Sequence, residues 1–368
     1  METEERYPRP KLLMIGTNPD ARGGIASVVA KYRQFGLFEK WKVTYLFTHV
    51  EGSLGRKLAA AFLAYGRLVA LLLTGRVGLL HIHIASRAST WRKSVFALTA
   101  FLFRVPYVLH IHGGKFIEFF NNECGPARRR IIRELLNRAG SVIALSDGWA
   151  AQLRTVVPTA RIETVHNSVP VPTQQAKCDQ NDGNKEILFL GKIGSEKGAF
   201  DLIRAFAVIG QDAQLVFGGN GEVDSASKLA RQLGVSDRVH FAGWISGAEK
   251  EARLAAATVF ALPSYNEGLP MSVLEAMAWG IPVVVTPVGG IPELVRQAKE
   301  GLIVQPGDID GLASALRTLL DNPRLRTRLG ANGRSRVQQL FSDAVVFPKL
   351  EVIWMRFGLA PFRQPNNQ

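Results

Sequence analysis

Leu262-Pro263-Ser264-Tyr265-Asn266-Glu267-Gly268-Leu269-Pro270-Met271-Ser272-Val273-Leu274-Glu275-Ala276-Met277-Ala278-Trp279-Gly280 is the stretch on which the rest of the chain turns. The residues from Thr258 to Leu262 form a short apolar run suited to a buried strand, and Pro263 to Gly268 have turn composition. Pro270 suits the first helical turn, where a missing N–H costs nothing. Val273, Leu274, Met277 and Ala278 mark one buried face, and Gly280-Ile281-Pro282 stops the helix.

Two carboxylates stand out. Glu267 lies in the loop and Glu275 roughly one and a half turns into the helix. The amides of Gly268 to Ser272 point out of a helix start that carries about half a positive charge and welcomes a phosphate. A flanking carboxylate can accept sugar hydroxyls, each charge-assisted bond contributing roughly 1.5–3 kcal/mol. Taken as residues alone, Glu267 equally well caps the helix and Glu275 sits on a solvated face.

The Glu-x7-Glu spacing, set inside Tyr265-Asn266-Glu267-Gly268-Leu269-Pro270-Met271-Ser272-Val273-Leu274-Glu275, resembles the signature of the family-four retaining glycosyltransferases. The resemblance implies an α/β chain of the GT-B fold, two Rossmann-like domains with parallel sheets facing across a central cleft. It implies Glu275 on the ribose of a nucleotide-diphosphate sugar and Glu267 on the sugar hydroxyls. The amides of Gly268 and Leu269 would lie against the departing phosphate.

A chain of 368 residues with 47% hydrophobic content can build two cores. Cys124 and Cys178 sit in polar stretches without metal-like spacing and are expected to be non-structural in a reducing compartment. The opening residues, Met-Glu-Thr-Glu-Glu-Arg-Tyr-Pro, lack a secretory signal's apolar segment, so a cytoplasmic protein is expected. Residues 1–180 hold 25 Lys/Arg against 12 Asp/Glu, net +13, and residues 181–368 hold 20 against 19, net +1. The basic half should face something anionic. With no nucleic-acid motif or aromatic–basic interleaving, an anionic membrane surface is the expected partner and nucleic acid is not.

In that basic half, Lys11–Gly16 reads as a strand, followed by the Gly23-Gly24 turn opening a helix, where backbone can approach a ligand closely. In the family the equivalent turn lies over the donor diphosphate. The segment Gly55–Arg76 contains an apolar run, Leu58 to Leu73, of roughly 24 Å, short of the ~30 Å hydrocarbon core. It is expected to lie in an interface or to be an ordinary buried helix. Trp91-Arg92-Lys93 is expected to open a helix from Ser94 to Phe103 with a basic, interfacial entry. Tyr107 to His112 reads as a strand running into Gly113-Gly114, with His110 and His112 on one face. His112 stands at the carboxyl end, where open α/β sheets place ligands. The resemblance gives it, and less directly His110, a role facing the sugar and acceptor. Arg128-Arg129-Arg130 belong to a basic helix, either solvated or holding an acceptor phosphate.

The remainder repeats the alternation of strand and helix. Gly191-Lys192-Ile193-Gly194-Ser195-Glu196-Lys197-Gly198 resembles the family's phosphate turn, with Lys192 where arginine is commoner, so a bidentate fork becomes a point charge. Lys192 and Lys197 would flank the diphosphate and Gly219 would lie beside the base. Asp308-Ile309-Asp310 reads as a helix cap rather than a metal site. No metal or other cofactor is expected.

The expected domains are 1–171 for acceptor and membrane, a linker at 172–184, 185–340 for the nucleotide sugar, and a final helix at 341–368 crossing back. The implied activity is retaining transfer of a hexose from a UDP- or GDP-sugar. Its acceptor would be a lipid-linked or growing polysaccharide on the inner face of the cell membrane, with Glu267, His112 and Lys197 at the reaction. An epimerase of the same fold and a non-catalytic nucleotide-sugar-binding adaptor are the alternatives.

Overall fold

The computed structural model describes residues 11–21, 23–50, 52–176, 185–210 and 213–362. Its strands are the short apolar runs, because a strand covered by helices on both faces needs continuous rather than alternating hydrophobicity. Lys11–Gly16 (β1), Thr44–Phe47 (β2), Val77–Ile84 (β3), Tyr107–Ile111 (β4), Ser141–Ala144 (β5) and Ile162–Thr164 (β6) form one sheet, ordered β2-β1-β3-β4-β5-β6. Lys185–Leu190 (β7), Ala213–Gly218 (β8), Val239–Gly243 (β9), Val259–Leu262 (β10), Val283–Val285 (β11) and Gly301–Ile303 (β12) form the other, ordered β12-β11-β10-β7-β8-β9. Neighbouring strands pair parallel throughout both sheets. Each sheet reverses its winding beside its first strand, and such a reversal opens a crevice at the carboxyl ends of the flanking strands.

The chain divides into two compact units, one running to Asn167 and resuming at Val346, the other Ser168–Val345. The division falls ahead of residue 171 because Val169 is already tied to the second unit, its N–H donating to Phe341 O at 3.1 Å. Pro172 and Gln174 carbonyls accept from the Arg334 guanidinium, and Ala176 N–H donates to Trp279 O at 2.8 Å. The rest of the expected linker, with Cys178, lies outside the described residues. The last helix, Asp343–Met355, carries Trp354 onto the first unit, where its ring meets Trp41 edge-on at 5.3 Å.

Three local expectations need correction. The helix after β10 is Met271–Ala278, with Pro270 one place earlier as its cap. The helix expected from Ser94 is Ala88–Leu102, so Trp91, Arg92 and Lys93 lie inside it. Lys93 is 1% exposed because it shares the inward face with Phe96, Ala97 and Ala100, and it is no part of a basic surface. Cys124, expected in a polar setting, is buried and unpaired. The Leu54–Leu73 helix buries only Ala64, Leu68 and Leu72. Among the described residues no helix is long and apolar enough to cross a membrane.

Candidate donor site on the second unit

Loops after β7 and β10 flank the winding reversal of the second sheet and are pressed together. Gly198 has φ +67° and a Cβ there would sit 2.0 Å from Pro263 O, so only glycine lets the two loops touch. Tyr265 N–H donates to Glu196 O at 2.9 Å. Lys197 Nζ donates to Glu267 Oε1 at 2.7 Å and to Asn266 O at 3.4 Å. Ser264 Oγ donates to the same Oε1 at 2.7 Å, leaving Oε2 as an acceptor uncommitted among the described residues, on a carboxylate only 8% exposed.

A third loop, after β11, backs this arrangement. Gly289 has φ +57°, and a Cβ on it would lie 1.8 Å from Glu267 O. Gly290 N–H donates to Gly268 O at 2.6 Å. Glu267 is therefore held by backbone on one side and by an ammonium and a hydroxyl on the other. A buried ion pair becomes costly when either partner is removed, because the survivor is left unpaired.

The Met271–Ala278 helix begins just beyond, and Pro270 offers no side-chain acceptor to its first amides. Glu275 accepts from Lys250 Nζ at 2.7 Å. Lys250 sits on the Gly247–Ala256 helix, and nothing in the local sequence announces that pairing. Lys192 is exposed, with no hydrogen bond or ion pair shown for its ammonium among the described residues. Its loop is fixed from below, since a Cβ on Gly219 would meet Gly191 O at 1.8 Å and Ile193 bridges Gly221. Leu269 is buried and Gly268 half-buried. Lys192, Lys197, Gly219, Glu267, Gly268, Leu269 and Glu275 all belong to this unit. Asp308 caps its helix, accepting from Gly311 N–H at 2.8 Å.

Gly23, Gly24 and His112 belong to the first unit. Gly23 (φ +142°) precedes the Gly24–Gln34 helix, and a Cβ on either glycine meets nothing within 4 Å. Conformation, not crowding, calls for glycine at 23. Sequence reasoning placed His110 and His112 on one face, and their rings lie 4.2 Å apart. It missed the matching His81 and His83 on β3, although His-Ile-His occurs twice and β3 pairs with β4 at His83 and His110. His83 Nδ1 lies 2.8 Å from His112 Nε2, and His81 Nε2 lies 3.2 Å from His110 Nδ1. Trp354 Nε1 donates to His81 Nδ1 at 3.0 Å.

Burial pushes His81 down to about 3 and holds His83, His110 and His112 well below the usual histidine range. The positive charge of Lys93 adds to the effect at His83 and His112. Nitrogens of His81, His83 and His110 lie within 4.8 Å of one another, close enough to share a cation. Both His81 nitrogens already have partners, however, and Lys93 opposes positive charge nearby, so the ladder is poorly suited to a metal.

Two parallel six-stranded sheets, one in each unit and each flanked by helices, are the α/β architecture of the GT-B class. The model for "Glycosyl transferases group 1" matches residues 171–336 and that for "Glycosyl transferase 4-like domain" matches residues 25–168. The chain belongs to the group 1 glycosyltransferases. It is 33% identical over 214 residues to the lipopolysaccharide core biosynthesis glycosyltransferase LpsE of Rhizobium meliloti (strain 1021), covering 57% of this chain and 60% of that one. Sucrose-phosphate synthase from Thermosynechococcus elongatus superimposes with TM-score 0.81 at 22% identity, covering 95% of this chain and all of that one. Anabaena HepE, solved with UDP, gives TM-score 0.74 at 21% identity over 94% of this chain and 100% of its own, and has also been solved with UDP-glucose.

Proposed function

We propose that the chain is a retaining glycosyltransferase that moves a hexose from a UDP- or GDP-sugar to a lipid-linked or growing polysaccharide acceptor. The observation that carries this is the Lys197–Glu267 pair, 2.7 Å apart and backed by Gly198 and Gly289. Lys197 has three N–H donors and uses two, to Glu267 and Asn266. The third serves a diphosphate oxygen, together with Lys192 and the amides of Gly268 and Leu269. Glu267 Oε2 accepts a sugar hydroxyl, and Glu275, oriented by Lys250, accepts from the ribose. Gly219 lies beside the base. UDP-glucose bound to HepE supports this class of donor, and LpsE supports an acceptor in surface-polysaccharide assembly.

The bond from the anomeric carbon to the phosphate breaks, the acceptor oxygen bonds on the same face, and its proton passes to the departing phosphate oxygen. Lysine and backbone donors stabilise the charge that develops there, so no protein nucleophile and no metal is assigned. Through the family resemblance, Gly23 and Gly24 of the first unit are assigned to the donor diphosphate and the reacting sugar, and His112 to the sugar and acceptor. The reaction is placed at the inner face of a membrane, where a lipid-linked acceptor is presented.

A panel of UDP- and GDP-sugars, screened for thermal stabilisation and then hydrolysis, identifies the donor. At about a hundred times its dissociation constant a donor adds roughly 2.7 kcal/mol. An α-linked product from an α-linked donor, read by proton NMR, establishes retention. Transfer at the wild-type rate by Lys197→Ala and by Glu267→Ala would falsify the assignment.

A further inference from the structure

The first sheet carries helices on two faces. Right-handed crossovers put Leu54–Leu73, Ala88–Leu102 and Pro126–Asn137 on one and Gly24–Gln34 on the other, where Asp343–Met355 also packs. Contacts agree, with Tyr65 against Phe96 and Arg138 over Phe101 on the first, and Tyr32 against Phe347 on the second.

The first of these faces is apolar where water should be. Opposite its buried Ala64, Leu68 and Leu72, the Leu54–Leu73 helix exposes Leu58, Leu63 and Phe62, the last 77% accessible. The Ala88–Leu102 helix adds Val95, Leu98 and Leu102, spaced to form one stripe. Tyr65 joins the two helices, its hydroxyl 3.3 Å from Thr99 Oγ1, so the stripes run side by side. A contiguous apolar patch rimmed by charge marks an interaction surface.

Charge identifies the partner. From Gly52 to Ile117 the sequence has nine Lys/Arg and no Asp/Glu. Arg56, Arg67, Arg76 and Arg104 are exposed on or beside these helices, and Arg138 lies 4.7 Å over the Phe101 ring. Arg138 is paired with Glu134 at 3.1 Å, but neither the Leu54–Leu73 helix nor the Ala88–Leu102 helix carries a carboxylate, so a symmetric pair of copies meeting through these two helices would set arginine against arginine. An anionic bilayer supplies both missing complements, hydrocarbon for the stripe and phosphate for its rim.

We infer that this face docks on an anionic phospholipid bilayer, the two helices lying flat with Phe62 and Leu98 at the acyl boundary and the arginines among the headgroups. This deepens the membrane placement proposed above, but vesicle binding itself does not depend on the transfer reaction.

The test sediments the full chain with vesicles of phosphatidylcholine alone and of phosphatidylcholine with one-third phosphatidylglycerol. The wild type should bind only the anionic vesicles, less so as salt rises. Arg67→Glu/Arg76→Glu should lower binding roughly tenfold or more, and Leu58→Glu/Phe62→Glu/Leu98→Glu should abolish it. Both variants should keep the wild-type melting temperature and donor hydrolysis. Equal binding by the variants overturns the inference, as does equal binding to neutral vesicles. So does a wild-type dimer that the triple variant splits in sedimentation velocity. Loss of donor hydrolysis in Glu267→Ala with vesicle binding intact supports both proposals, whereas wild-type hydrolysis there sinks the transfer reading and leaves this one standing.

Discussion

Glu267 is held by three loops, and its charge is matched by Lys197 at 2.7 Å. Glu267→Gln keeps the size of the side chain and removes the charge. Transfer is expected to fall about a hundredfold, as when one preorganised polar group is lost, and the melting temperature to fall with it, because Lys197 is left without its counterion. Combining it with Lys197→Met should cost far less than the sum of the singles, because the two share one interaction. Additive losses would mean that they act separately. Lys93 is the opposite case, a buried ammonium with no counterion among the described residues. Burial, with Arg92 adding to it, pushes its ammonium down to about 7. The unfolded chain holds that proton up to about 10.5, so the native state gives up stability as pH falls from there toward 7. Lys93→Met should therefore stabilise the protein by roughly 2–3 kcal/mol near pH 8, read from urea midpoints; a destabilised variant sinks the account. The burial of Lys93 was legible, since 93, 96, 97 and 100 make one helical face, but the neighbouring Trp and Arg drew the eye to a surface. Lys250 was not legible, because its partner is 25 residues away on another helix.

At the scale of elements, strands β7, β10 and β11 could be read from runs such as Val283-Val284-Val285, since burial on both faces leaves few alternatives to a parallel strand. The closeness of their loops could not be read. It shows in glycines whose sequence context is ordinary. Gly289 and Gly210 have similar positive φ, +57° and +66°, but a Cβ at 289 would strike Glu267 O and one at 210 meets nothing within 4 Å. Gly210→Ala should cost only the left-handed backbone strain, about 1–2 kcal/mol, and leave transfer unchanged. Gly289→Ala should cost more and also lower kcat by displacing Glu267. Equal stability and equal kcat in the two variants would show that the loop after β11 does not position the carboxylate.

For the whole molecule, the uneven distribution of histidine predicts an uneven response to acid. Of seven histidines, only His240 belongs to the second unit, and four of the rest form the ladder between β3 and β4. Each ladder imidazole is held below its ordinary value by burial, so below about pH 6.5 the unfolded chain takes up protons that the native first unit refuses. Stability is thus present above that pH and is lost as pH falls toward the depressed native values. The slope is about 1.4 kcal/mol per pH unit for each imidazole. The second unit has no such ladder. Trp41, Trp91, Trp149 and Trp354 report on the first unit, whereas Trp244 and Trp279 report on the second. Urea unfolding of Trp244→Phe/Trp279→Phe, followed by fluorescence from pH 8 to about pH 4.5, should show the first-unit midpoint falling steeply. The complementary tryptophan variants should show the second-unit midpoint moving less. Replacing His81 and His110 by glutamine should flatten the first curve, since an amide fills much of the space and takes up no proton. If both units lost stability in parallel, the ladder would not be the source of acid sensitivity.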